Sequence, residues 1–210
     1  MSARRILRRP NSKLFYLVDA NFLANQFIPY SRVTNAREQT RVIRSQDWWL
    51  EIKSQMKANL ATVYVLDVCI AESFKVLAKK YYQEKYFRNS AEYKFARDAL
   101  SNFVHLSPKT LKAARRQITV HDISTSRDIV IAVDRFYEVF SKHNLSASVI
   151  DLLILATAKY LMDFFALARE RLHIVTLDNS LWRGSKKISD VPPAFNPNAP
   201  LEVSGKVFID

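Results

Sequence analysis

Four acidic residues occupy positions from which they could bind one metal ion: Asp19, Glu72, Asp151 and Asp178. Two directly follow apolar runs that predict buried strands, and two are expected in the first turn of a helix. Strand ends and the starts of the following helices meet at one edge of a parallel sheet, where ligands bind. Carboxylates without His or Cys suit hard ions such as Mg²⁺ or Mn²⁺. With a phosphate substrate, such ions indicate phosphoryl-transfer chemistry.

Each acid also has a simpler interpretation. Asp19 and Asp178 are good helix N-caps, and Asp151 completes the capping box "SVID" with Ser148. Glu72 is explained by the preference of acids for helix N-termini. Asp151 is the hardest to dismiss, because apolar residues share its helix face and an unpaired charge there is costly. These residues are Ile154, Leu155, Ala158, Met162 and Phe165.

Strands and helices alternate along the chain, which predicts a three-layer α/β/α domain around a central parallel sheet. Continuous apolar runs predict strands covered on both faces: Leu14–Val18, Val63–Leu66, Gln117–Val120 and His173–Leu177. Predicted helices are Ala36–Leu60, Val68–Tyr86, Ser90–Phe103, Ser126–His143 and Val149–Leu167. The tail after Ser189 is proline-rich and ends in "GKVFID", a candidate edge strand.

The composition narrows the classes of function that this chain could have. The chain has 210 residues, 49% of them hydrophobic, with 32 Lys and Arg against 20 Asp and Glu, a net charge of +12. A globular chain this basic most often binds nucleic acid. Only two glycines are present, where average usage of about 7% would give about 15. Loops that hold phosphates need glycines, so nucleotide-binding folds of that kind are nearly excluded.

The location is expected to be cytoplasmic, with no membrane association. The single cysteine, Cys69, cannot form an internal disulfide, and no spacing suggests a zinc site. The apolar run after "MSARRILRRP" is too short for an export signal. The longest uncharged piece of the most apolar segment, Leu152–Ala158, is far shorter than the roughly 20 residues of a membrane span. The histidines lack a catalytic context and are expected to be structural or exposed: His105, His121, His143 and His173.

The ordered motifs resemble the PIN-domain nucleases. They are "YLVDANFL" with Asp19 and Asn21, "CIAESFKVL" with Glu72, "SVIDLLILATA" with Asp151, and "IVTLDNSLW" with Thr176 and Asp178. The resemblance covers about residues 14 to 185. It implies a parallel sheet between helices, and acids that hold a divalent metal and activate water to cut RNA. Many small members are VapC-type toxins inhibited by a partner antitoxin.

This resemblance implies a role for each acid. Asp19, Glu72 and Asp151 become metal ligands, with Asp178 as a fourth ligand or an outer partner. Asn21 and Thr176 would orient the acids or a water molecule. The spacing of the first three acids is long for a compact VapC-type member, which implies insertions near Tyr30–Leu60 and Tyr82–Ser124. The expected organisation is a basic arm (1–13), a PIN-like domain with helical insertions (14–188) and a proline-rich extension (189–210).

The run "LWRGSKK" is a candidate RNA contact. Trp182 could stack on a base, and Arg183, Lys186 and Lys187 could bind phosphates of single-stranded or structured RNA; the alternative is an exposed basic loop. The basic arm is a similar hypothesis: Arg4, Arg5, Arg8 and Arg9. An apolar helix around Leu152, Leu153, Tyr160 and Phe164 indicates deep burial or a homodimer face. Alternatives to a nuclease are a non-catalytic RNA-binding or scaffold protein, and a subunit whose basic surface serves a protein partner.

Overall fold

The computed structural model describes residues 13–104 and 120–199. Within these ranges the strands are β1 (Leu14–Val18), β2 (Ala61–Leu66), β3 (Val120–Ile123), β4 (Leu172–Val175) and β5 (Ala194–Phe195). The helices are α1 (Ala20–Asn25), α2 (Ala36–Lys57), α3 (Asp67–Tyr82), α4 (Ser90–Val104), α5 (Arg127–Lys142), α6 (Val149–Phe164) and α7 (Asn179–Ser185). Short 3₁₀ turns lie at Tyr30–Arg32 and Arg169–Arg171.

The five strands form one parallel sheet in the order β3-β2-β1-β4-β5. The first of the described strands, β1, is therefore the central one. Its last residue, Val18, pairs with Val65 of β2 and with Val175 of β4. Their carboxyl ends, and the residues that follow them, thus lie side by side. This arrangement is what brings Asp19 close to the segment that begins at Thr176.

Helices cover both faces of the sheet, because successive side chains of a strand point to opposite sides. Tyr16 of β1 donates a hydrogen bond to Gln55 of α2 at 2.7 Å, whereas its neighbour Phe15 stacks on Phe165, beyond the end of α6, at 6.3 Å. Helices α1 to α4 form the layer on the Tyr16 side, and α5 to α7 form the other. The predicted three-layer α/β/α fold with a central parallel sheet is confirmed.

Side-chain caps explain where several helices begin. Asn35 caps α2, Ser126 caps α5, and Ser148 caps α6. Several other predicted boundaries were displaced by one or more residues, and α3 begins at Asp67 instead of Val68. Glu72 therefore lies in the second turn of α3, which corrects its expected place in the first turn.

Three elements were not predicted: the short helices α1 and α7, and the two-residue strand β5. The predicted strand Gln117–Val120 overlaps the described β3 at Val120, and β3 continues from there to Ile123. Residues 117–119, the basic arm up to residue 12 and the "GKVFID" segment lie outside the described residues. Among the residues that the structure describes, no helix is both long and apolar enough to cross a membrane.

Candidate active site

Asp19 is a buried carboxylate between β1 and α1, with only 5% of its surface exposed. Its Oδ1 accepts a hydrogen bond from the Phe22 backbone N–H at 2.6 Å, so Asp19 caps α1. Its Oδ2 accepts bonds from the Thr176 hydroxyl and, at 2.9 Å, from the Leu177 N–H. Burial is the main cause that raises the pKa of Asp19 from 3.8 to about 6, and the negative charge of Asp151 raises it further. These three donors lower that pKa but do not offset the burial.

Thr176 connects two of the four acids. Its buried hydroxyl donates to Asp19 and accepts a hydrogen bond from the Asp178 backbone N–H at 2.9 Å. Asp178 in turn caps α7, since its Oδ1 accepts from the Leu181 N–H at 2.8 Å. The segment after β4 is thereby fixed against the end of β1.

Asp151 lies in the first turn of α6 and forms the capping box with Ser148. Its Oδ2 accepts from the Ser148 N–H at 2.8 Å and from the Ser148 hydroxyl at 2.7 Å. Both bonds go to Oδ2, which leaves Oδ1 available to a ligand. Burial raises the pKa of Asp151, and the charge of Asp178 raises it further, while the Ser148 bonds lower it. The capping interpretation is therefore correct for Asp151, whose carboxylate is also partly buried.

Glu72 is related to the other acids through its neighbour Cys69, which lies one turn earlier on α3. Cys69 is fully buried. Burial raises the pKa of its thiol, and the charges of Asp19, Glu72 and Asp151 raise it further. The charges of Asp19, Glu72 and Asp151 therefore all reach the Cys69 thiol. Asp19 and the Asp178 backbone are joined through Thr176, and the charge of Asp178 acts on Asp151.

A divalent cation fits the chemistry of these donors. All four groups are carboxylates, and the charge of Asp151 opposes that of Asp19 while the charge of Asp178 opposes that of Asp151. Within residues 13–104 and 120–199, however, no three or more His, Cys, Asp or Glu side chains are arranged so that they could hold a metal ion. Three of the four acids instead accept hydrogen bonds at helix N-termini. Binding an ion would require these side chains to turn toward one another.

The other predicted site residues lie around this region. Asn21 is exposed in the first turn of α1. Trp182 is half-buried on α7, and the Lys186 ammonium lies 3.9 Å from the centre of its ring, so one face of the indole is covered. Arg183, Lys186 and Lys187 are exposed. The run "LWRGSKK" is therefore mostly a helix, and Gly184 and Ser185 within it are buried, which corrects its alternative interpretation as an exposed loop.

No protein-family model matches the chain, and no curated protein sequence matches it. Solved structures do match its fold. FitAcB from Neisseria gonorrhoeae is 16% identical with a TM-score of 0.50, over 87% of this chain and 97% of that one. FitAB bound to an IR36 DNA fragment is 15% identical with a TM-score of 0.51, over 87% and 94%. VapBC2 from Rickettsia felis, bound to a promoter DNA fragment, is 12% identical with a TM-score of 0.49, over 87% and 98%. The first two likenesses show a shared, PIN-like fold.

No motif in the sequence marked Cys69 or the arginines of α2 as parts of the site. Arg37, Arg41 and Arg44 have the spacing of one helix face, and this signal was visible in the predicted helix Ala36–Leu60. These arginines are candidate site residues because they lie beside the segment after β4, and only the fold shows this position.

Proposed function

We propose that this protein is a metal-dependent endoribonuclease that hydrolyses RNA phosphodiester bonds. One observation supports this most: at the carboxyl end of a PIN-like sheet, Thr176 joins the buried Asp19 to the Asp178 backbone, and the charges of Asp151 and Asp178 act on Asp19 and Asp151 respectively. Scattered helix caps would show no such mutual effect. The net charge of +12 agrees with a nucleic-acid substrate.

Different residues of the chain would bind the metal ion, orient its ligands and contact the RNA. Asp19, Glu72 and Asp151 would bind Mg²⁺ or Mn²⁺, with Asp178 as a fourth ligand or an outer partner. When bound, such an ion lowers the pKa of water and neutralises phosphate oxygens. Thr176 holds the Asp19 carboxylate in one orientation through its hydrogen bond, and Asn21 would orient a nearby acid or water. Trp182, Arg183, Lys186 and Lys187 would contact the RNA next to Asp178.

The resemblance to VapC-type toxins extends the proposal to an antitoxin that covers the site, and to action in the cytoplasm. A homodimer is a further part of it. Tyr160 and Phe164 of α6 stack on each other at 5.8 Å and are 39% and 66% exposed. This exposed aromatic pair would suit a partner surface.

A second candidate is a non-catalytic RNA-binding or scaffold protein on the same fold. It is favoured by the capping bonds of Asp19, Asp151 and Asp178, which give these acids a structural role without any ion.

One experiment separates the two candidates. The purified protein is incubated with mixed RNA in Mg²⁺, in Mn²⁺ or in EDTA, alongside Asp19→Asn, Asp151→Asn and the control Asp98→Asn. Asp98 is exposed on α4, so its substitution changes the charge equally. We expect cleavage only with metal, and a loss of at least about 100-fold in the two site variants, with RNA binding retained. Cleavage in EDTA would contradict the metal mechanism. No cleavage with either metal would favour the second candidate.

A further inference from the structure

A polar cleft of about 370 Å³ opens beside the candidate active site. One wall is the first half of α2, with Arg37, Arg41 and Arg44. The other wall comes from the segment after β4, from α7 and from the residues after β5. Helix α2 runs toward the amino end of β2, so its first half lies at the carboxyl end of the sheet. The cleft therefore shares its end of the molecule with the four acids.

The arginine wall carries positive charge that is mostly free to meet a ligand. Arg37 and Arg44 are exposed and lie two helical turns apart, which is about 10 Å along the axis. They could therefore contact different phosphates of one strand. Arg41, between them, is half-buried; it forms an ion pair with Glu38 at 2.6 Å and donates to the Leu177 carbonyl at 3.3 Å. Arg41 thus fixes the wall, while Arg37 and Arg44 present its charge.

The opposite wall is made of asparagines. Asn196 donates from Nδ2 to Asn179 Oδ1 at 3.1 Å and accepts from the Asn198 N–H at 2.9 Å, which fixes its orientation. Arg44 closes the cleft by donating to the Asn198 carbonyl at 3.2 Å. Within the described part of the chain, neither polar atom of the Asn198 side chain has a hydrogen-bond partner. Amides both donate and accept, so they can bond to sugars and base edges.

Leu177 joins the cleft to the acids directly. Its carbonyl accepts from Arg41 on the cleft side, at 3.3 Å, and its N–H donates to Asp19 on the acid side, at 2.9 Å. The next residue is Asp178. An RNA strand bound in the cleft would therefore reach the carboxylates directly, because Leu177 lines the cleft and the next residue is Asp178.

We propose that this cleft binds the sugar–phosphate backbone of single-stranded RNA next to the bond that is cut. Arg37 and Arg44 contact phosphates, and the asparagine wall contacts sugars or exposed base edges, which are accessible only in unpaired RNA. The choice of RNA as the polyanion rests on the proposed function. A protein partner with acidic side chains would use the same charges, but the continuity with the acids favours the substrate.

The test measures RNA binding without metal. Fluorescence anisotropy of a short labelled single-stranded RNA is recorded in EDTA for wild type and for the double variant Arg37→Gln, Arg44→Gln. The matched control is Lys57→Gln, Arg88→Gln, which removes the same charge from exposed residues. Lys57 ends α2, just before β2, and Arg88 lies between α3 and α4; neither residue lines the cleft. We expect the cleft variant to bind about tenfold more weakly at physiological salt, with a salt slope smaller by about 1 to 2. The control should stay within about twofold of wild type.

Equal weakening of both variants would overturn the proposal, because binding would then follow overall charge. Unchanged affinity in the cleft variant would also overturn it and leave the cleft to a protein partner, and so would a wild type that does not bind RNA. Thermal melts of both variants should match wild type, since all four side chains are exposed. Cleavage is measured separately with Mn²⁺. A protein that binds RNA through the cleft but never cuts it would refute the nuclease proposal and leave this one standing.

Discussion

Replacing Asp151 by Asn should make the metal-free protein more stable. Asparagine keeps the shape of the side chain, and its Oδ1 can still accept from the Ser148 hydroxyl and N–H, which both reach one oxygen of Asp151. The substitution removes a charge that is disfavoured by burial and by Asp178. It also removes a charge that opposes ionisation of Asp19.

The magnitude follows from the shift at Asp19. Its pKa rises from 3.8 to about 6, and about 1.36 kcal/mol per unit makes this roughly 3 kcal/mol at pH 7. Most of that comes from burial, and Asp151 contributes a minor share. Losing the favourable charge at the start of α6 costs about 0.3–1 kcal/mol. The net gain for Asp151→Asn should be on the order of 1 kcal/mol, or about 2–4 °C in Tm for a chain of this size.

The pH dependence has a definite sign. Because the folded-state pKa of Asp19 is raised, the folded protein holds a proton that the unfolded chain releases between pH 4 and 6. The stability that depends on this proton is present below pH 4 and is lost as the pH rises through about 6. Asp151→Asn should reduce the loss, because it removes one cause of the raised pKa.

Urea and thermal unfolding in EDTA and in Mn²⁺ check these values, with Asp98→Asn as the charge-matched control. An ion that binds only the folded state stabilises it by about 2.7 kcal/mol at 100 times its Kd. Wild type should therefore gain from Mn²⁺, and Asp151→Asn should gain much less. A less stable variant together with a wild type that does not respond to Mn²⁺ would refute the reasoning and leave the four acids as helix caps.

Two further predictions concern packing around the sheet. His173 is buried between Tyr16 and Phe195, with ring centroids 5.6 Å and 5.3 Å away, and burial lowers its pKa to about 4. The unfolded chain therefore takes up a proton below pH 6.5 that the folded protein does not, so His173→Phe should gain up to about 3 kcal/mol over wild type between pH 7 and 4; a pH-independent difference in urea unfolding would contradict this. Gly184→Ala would place Cβ 2.1 Å from the buried Phe140 ring, so it should destabilise by about 1–3 kcal/mol. Thermal melts should show partial recovery when Phe140→Leu is added, and an unchanged Tm in the single variant would show that α7 can move.

Local sequence patterns predicted the elements that have strong signals. Strand β1 was predicted to the residue, because an uninterrupted apolar run ends at Asp19. The starts of α2 and α4 were predicted as well. The short helices α1 and α7 have six and seven residues, too few to show a helical period. Strand β5 has two residues, too few to show a strand pattern, and it is defined by its pairing with β4.

The candidate site was likewise predictable only in part. The order and types of the four acids could be read from the sequence, because each follows a predicted strand or lies near the start of a predicted helix. Their burial was not, since the charge on Asp19 is disfavoured mainly by what surrounds it in space. The arginines of α2 showed their common face in the sequence, but Asn198, whose carbonyl accepts from Arg44, comes 154 residues later, and nothing local connects the two.

The strand order has a consequence for protein synthesis. Among the described strands, β1 is made first and becomes the centre of the sheet, whereas β4 and β5, which complete one side of it, come last. Asp19 thus leaves the ribosome long before Thr176, Leu177 and Asp178, on which its hydrogen bonds and the proposed chemistry depend. A chain still being translated carries the first carboxylate without the segment that fixes it. The proposed site can therefore form only after Thr176, Leu177 and Asp178 have left the ribosome, long after Asp19 has been made.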